Sequence, residues 1–214
     1  MRSTITQKHD RKAISKEKRH ESLNIKILAK GRILFWKKGY RNTTIKDIAR
    51  ACGCQAGNVY NYFPSKEAIL YTMLSEEMEH LISSIKYLED KYDMTPIEQL
   101  RIFISKHIEL TLGYRRAEKI LFDLELRSLT PAHQKKIIKY RDEYERIMCK
   151  IIRRGIESGY FAEVDEKIIC YSIASMIVRS RIWFRPKGRL TPAEISDIIS
   201  DLVLDGFKSS KVTK

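Results

Sequence analysis

Apolar residues recur along this chain at helical spacing, and nowhere do they alternate over a useful length. Ile27, Leu28, Gly31, Leu34 and Phe35 share one face of a helix expected from about Ser22 to Lys38. Lys37 and Lys38 suit its negative C-terminal end, and Gly39 supplies the stop. Ile45, Ile48, Ala49 and Cys52 define a second, short helix. Thr44 stands at its N-cap position with Asp47 three residues on, an approximate capping box, and Gly53 follows where a left-handed residue ends a helix. A third helix is expected from Gln55 to Phe63, burying Val59 and Phe63 and leaving Gln55, Asn58, Asn61 and Tyr62 outside. Pro64 stops it and Ser65 caps the next. Two short helices joined by a glycine-containing turn form a helix-turn-helix, whose second helix fits a DNA major groove.

From Ser65 the helical period continues toward Leu88 through Ile69, Met73, Ile82 and Ile85, and Asp90 to Met94 reads as a loop. Thr95-Pro96, Thr130-Pro131 and Thr191-Pro192 each pair an N-cap with proline at the first helical position. They open helices ending near Leu112, Glu157 and Lys208. Another is expected from Arg116 to about Ser128, after Gly113, and one from Asp165 to Phe184, after the turn at Gly159. That last is apolar along Ile169, Ile173, Met176 and Ile177. The final helix carries a wide stripe of Ile195, Ile198, Ile199, Leu202 and Val203, with Phe207 a turn further. The fold class is all-α, about nine helices in a small three-helix head and a larger bundle.

Charge sharpens this picture. The net charge is +14, yet residues 1–66 hold sixteen Lys and Arg against four Asp and Glu, while the remainder is nearly balanced. Such segregation exceeds what solubility requires and points to a polyanion at the helix-turn-helix. The basic stretch 1–20, with Lys12, Lys16, Lys18 and Arg19, is either a solubilising tail or an arm touching DNA. Cys52-x-Cys54 lacks further ligands nearby, so no metal site is expected; the four scattered cysteines read as buried thiols of a reducing cytosol. No signal-peptide core or bilayer-length apolar run occurs, which implies a cytoplasmic protein without a membrane partner. No nucleophile elbow, phosphate loop or dinucleotide fingerprint is present, and nothing in the spacing draws His107 to Glu125. Neither catalytic residues nor a cofactor is expected.

The combined spacing of Phe35-x-x-x-Gly39-Tyr40, Thr43-Thr44-x-x-Asp47-Ile48-Ala49 and Gly53-x-x-x-Gly57-x-x-Tyr60-x-Tyr62-Phe63-x-Ser65-Lys66-Glu67 resembles the N-terminal domain of the TetR family of bacterial regulators. The match spans about Leu23 to Leu74, with Gly31 standing where the family often has Ala. The resemblance implies that Thr44, Lys46, Tyr60 and Lys66 clamp phosphates of double-stranded DNA, while Gln55, Ala56, Gly57, Asn58, Asn61 and Tyr62 face the groove. The Gln55 and Asn58 amides could pair with adenine, and Gly57 would permit close backbone approach. A single short recognition helix buries little surface, so a homodimer on a palindrome is expected.

By resemblance, residues 21–66 form the DNA-binding domain and 67–214 a ligand-binding and dimerisation domain. The helix after Ser65 would act as a rod connecting the two. The last two helices would pair with a second copy through Ile173, Ile177, Ile195, Ile198, Ile199 and Leu202; alternatively those stripes pack within one subunit. Phe103, His107, Phe122, Leu126, Tyr144 and Met148 are candidates for an effector pocket, or for plain core. The stretch from Ile177 to Phe207 is more loosely similar to a branch sensing acyl-CoA thioesters. There Arg179, Trp183 and Lys187 recur every four residues, with Arg181 and Arg185 beside them, able to grip phosphates and stack adenine. The alternative is a neutralised helix end with Trp183 at a dimer edge. The implied function is a ligand-responsive regulator, a repressor released from its operator by a small hydrophobic effector; the rival is an effector-free, DNA-bound partner of other proteins.

Overall fold

The computed structural model describes residues 23–113 and 126–207. The basic arm 1–20, Phe122 and most of the helix expected from Arg116 lie outside them. Eight α-helices occur among the described residues, and no strands. They are α1 (23–38), α2 (Ile45–Cys52), α3 (Ala56–Tyr60), α4 (Lys66–Ile85), α5 (Pro96–Leu112), α6 (Pro131–Glu157), α7 (Glu166–Trp183) and α8 (Pro192–Phe207). Short 3-10 turns cover Lys86–Asp90 and Leu126–Ser128.

Local chemistry sets the helix starts. Thr44, Thr95 and Thr191 each accept from a backbone N–H three residues on, while Asp47, Glu98 and Glu194 accept from the cap's own N–H. Asp165 caps α7 by accepting from the N–H groups of Lys167 and Ile168. At the end of α2, Gly53 takes φ 69°, and its N–H and that of Cys54 satisfy the last carbonyls. The third helix is shorter than its apolar period implied: Gln55 is the cap and regular geometry ends at Tyr60. Phe63 is nonetheless buried, through the turn that follows.

The chain divides into two compact units, and the division falls inside α4 between Leu74 and Ser75 rather than near residue 66. In the first unit, Ile27 and Phe35 of α1, Ile48 of α2, Val59 of α3 and Ile69 and Met73 of α4 build one core. Each large aliphatic side chain there contributes about 1.5–3 kcal/mol by leaving water. Gly31 faces this core, and a methyl group there would press on the flexible end of Met73 at 2.7 Å while lying in ordinary contact with Ile69 and Ile48. Residues 126–130 cluster with this unit, the Thr130 N–H donating to Glu67.

In the second unit α5 is central and packs against α6, α7 and α8. Its core joins Leu100, Phe103 and Ile104 with Ile147 and Ile151 of α6. Four residues expected at a dimer surface belong to this core: Ile173, Ile177, Ile195 and Ile199 are buried within the chain itself. Ile198 and Leu202, by contrast, are 53% and 63% exposed. The wide stripe of α8 is thus two stripes, one turned inward and one outward. Buried Gln99 ties the start of α5 to the preceding turn, its amide donating to the carbonyls of Leu88 and Lys91.

Candidate nucleic-acid interface

The first unit supports its recognition helix from behind. Val59 is fully buried and fixes the rotation of α3, so that Gln55, Gly57, Asn58, Tyr60 and Asn61 are exposed and Ala56 and Tyr62 are half-buried. Five polar or backbone-accessible positions therefore lie on the outer side of one short element, as groove reading requires. A Cβ at Gly57 would meet nothing within 4 Å, so the chain's own packing places no demand on that glycine.

The four positions assigned to phosphates behave differently from one another. Lys46, in the first turn of α2, and Tyr60, at the end of α3, are exposed. Thr44 is exposed but already engaged. Its hydroxyl donates to Asp47 at 2.7 Å while accepting the Asp47 N–H at 3.1 Å, and its own N–H donates to the same carboxylate at 3.0 Å. These bonds to Thr44 hold the Asp47 carboxyl below its usual range, helped by Lys38 and Arg50 nearby. Thr44 therefore acts on α2 as its cap, and its donors are not turned to phosphate.

Lys66 is engaged with the backbone of its own unit. Its ammonium donates to the carbonyls of Tyr40 and Thr43 at 2.8 Å each and reaches that of Arg41 at 3.4 Å. It also stands 4.3 Å from the centre of the Tyr40 ring. The half-buried ammonium thus ties the start of α4 to the turn before α2. Thr43, which the sequence offered only as part of a motif, is fully buried and donates to the Gly39 carbonyl at 2.9 Å.

Three of the residues proposed for a pocket, Phe103, His107 and Tyr144, come together within the second unit. His107 Nδ1 lies 2.8 Å from the Tyr144 hydroxyl, and the Phe103 and Tyr144 ring centres are 5.1 Å apart. Phe103 and Met148 are fully buried, and burial pushes the Tyr144 hydroxyl well above its ordinary pKa, keeping it neutral. Leu126 is half-buried in the 3-10 turn of the first unit, and Phe122 lies outside the described residues. Arg179 and Trp183 are exposed on α7. Their neighbour Arg181 is buried, its Nε donating to the Val178 carbonyl at 3.2 Å. Its spacing of four from Ile177 and eight from Ile173 was the available signal for that burial.

Comparison with known proteins adds to this geometry. Residues 27–72 match the model described as "Bacterial regulatory proteins, tetR family", and residues 93–207 match "Tetracyclin repressor-like, C-terminal domain". The chain is 26% identical over 181 residues to the HTH-type transcriptional repressor KstR2 of Mycobacterium tuberculosis, covering 84% of this chain and 90% of that one. It is 34% identical over 174 residues to the fatty acid metabolism regulator protein of Bacillus subtilis, covering 80% and 88%. Its fold matches AibR, solved in complex with isovaleryl coenzyme A and operator DNA, with a TM-score of 0.75 at 24% identity over 84% of this chain and 97% of that one.

Proposed function

The chain belongs to the TetR family of bacterial regulatory proteins, and from that premise we propose that it is a cytoplasmic repressor working as a homodimer. It binds a palindromic operator and leaves it when a small hydrophobic effector, an acyl-CoA thioester by preference, occupies the second unit. The observation that carries the DNA reading is the rotation of α3: Val59 anchors it, and Gln55, Asn58 and Asn61 present amide edges outward. Lys46 and Tyr60 supply the phosphate contacts, and the positive charge gathered in residues 1–66 supplies long-range attraction.

Dimerisation is assigned to the outer faces of α7 and α8. Ile168, Tyr171, Ile182 and Trp183 on the first and Ile198 and Leu202 on the second are large apolar side chains left exposed. An isologous four-helix contact would cover them. Effector binding is assigned to the neighbourhood of Phe103, His107, Tyr144 and Met148, where a hydrogen-bonded polar pair sits among apolar walls. The acyl-CoA preference follows the likeness to AibR, solved with isovaleryl coenzyme A, and the similar fatty acid metabolism regulator of Bacillus subtilis is in keeping with it.

The effector acts by differential affinity, binding better to the form whose two heads are wrongly spaced for the operator. Titrating a panel of acyl-CoA thioesters into a complex with a duplex selected from random DNA tests this. Dissociation at micromolar thioester, with a matching rise in melting temperature of the free protein, is expected. A complex indifferent to every thioester and every lipophile would favour the effector-free partner instead.

A further inference from the structure

We propose that Cys149 and Cys170 are an oxidative modification site, which a small hydroperoxide closes to a disulfide that locks α6 to α7 and blunts the response to effector. The lock itself is independent of the DNA and effector readings given above. Only its effect on the response rests on them, and the experiment separates the two. The buried sulfurs stand 3.0 Å apart, although the two cysteines are 21 positions apart in sequence. A disulfide needs them at about 2.05 Å, so an approach of about 1 Å makes the bond.

Ion pairs one turn to either side of Cys149 hold the sulfurs opposite each other. Glu145, Cys149 and Arg153 share one face of α6 at four-residue steps. Arg153 pairs with Glu166 at the start of α7, and Lys167 reaches Glu145 at 3.9 Å. The connection between the helices turns at Gly159, with φ 75°, and ends at Asp165, the cap of α7. Each thiol therefore meets the other at a high effective concentration, and little chain freedom remains to be lost on bonding.

The surroundings set the order of attack. Burial pushes both thiols up, with Glu145 and Glu166 adding to the rise. At Cys149 the hydrogen bond to Cys170 and the charge of Arg153 oppose it, whereas at Cys170 the hydrogen bond adds to it. Cys149 thus loses its proton first, and its thiolate attacks one oxygen of hydrogen peroxide. The O–O bond breaks, hydroxide leaves and takes up the displaced proton as water, and Cys149 becomes a sulfenic acid. The Cys170 sulfur then attacks the Cys149 sulfur, the S–O bond breaks, and the hydroxyl leaves as water with the Cys170 proton. Two thiols have lost two electrons, and one peroxide has gained them. Cys149, 9% exposed, admits an oxidant of that size more readily than a bulky disulfide. On the effector side, α6 also carries Tyr144 and Met148, and Cys170 bears electrostatically on the Tyr144 hydroxyl. Once bonded to α7 beside them, α6 is no longer able to shift to admit a thioester.

The experiment treats full-length Cys54→Ser protein, which lacks the half-buried thiol, with hydrogen peroxide. After unfolding in maleimide the treated chain should take up one label, at Cys52, where the untreated chain takes three. Its melting temperature should rise by about 5 °C or more and return with dithiothreitol. In Cys170→Ala, peroxide should leave Cys149 as a sulfenic acid that dimedone traps, with no rise in melting temperature. Treated protein that still takes three labels, or melts where untreated protein does, would overturn the lock; these two readings decide it alone if Cys170→Ala does not fold. On a duplex selected from random DNA, the oxidised protein should need about fivefold or more acyl-CoA thioester for half-release than the reduced protein. Equal release would overturn the blunting. Reduced protein that no thioester releases would sink the effector reading and leave labelling and melting to decide the lock.

Discussion

Thr44 occupies the point where the helix-turn-helix begins, and its cap makes specific demands. Replacing Thr44 with Ala removes the side-chain half of the box and should cost about 1 kcal/mol of stability, measured by chemical denaturation. The same box gives an acid response. Asp47 is held below its ordinary value of 3.8 by its bonds to Thr44, and Glu98 and Glu194 are held below 4.5 by theirs to Thr95 and Thr191. A depressed carboxyl stabilises the fold fully above its ordinary value and loses that contribution as pH falls through the lowered one. Melting temperature should thus be steady from neutral pH to about 5 and fall below about 4. A steady loss between pH 7 and 5 would mean that other groups dominate. At Gly57 the expectation divides: Gly57→Ala should raise the melting temperature slightly, since the space is open and Ala favours the helix, yet weaken operator binding where backbone meets base edges. Thr44, Gly53 and Val59 were legible in the sequence because caps, left-handed turns and a helical face are local patterns. Lys66 was not, because its partners stand 23 to 26 residues away and a motif describes the residue without its surroundings.

At the scale of elements, every helix start marked by a threonine–proline pair is present, since the capping interaction is contained within four residues. The partition of apolar stripes was beyond the sequence. Ile195 and Ile199 point into the body and Ile198 and Leu202 away from it, although all four fall within one helical period. Only the neighbouring helices decide which side is the inside. The join of α6 to its following turn makes a steric prediction. The Phe161 ring lies over Gly155, where an added Cβ would stand 2.1 Å from a ring carbon. Gly155→Ala should therefore destabilise the body by about 1–3 kcal/mol, whereas Gly31→Ala, whose one tight contact is the flexible end of Met73, should cost little. Where α6 meets α7, the buried Cys149 and Cys170 sulfurs are 3.0 Å apart, and burial pushes both thiols up. Brief iodoacetamide treatment of native protein should accordingly label Cys54, which is half-buried, ahead of Cys149 and Cys170. Rapid labelling of either buried thiol would show that the α6–α7 contact opens readily.

For the whole molecule, reading a palindrome requires two heads on one scaffold. Leu202→Asp places a charge on the outward stripe of α8 without touching the buried one, so it should yield a folded monomer by light scattering with much weakened DNA binding. A variant that remains dimeric would move the interface elsewhere. The most direct test of the central claim is selection of binding sites from random duplex DNA at moderate salt. Recovery of a palindrome, with half-sites about one helical turn apart and bound at least a thousandfold above scrambled sequence, is the predicted result. Recovery of no common sequence, with binding that depends only on salt, would contradict it.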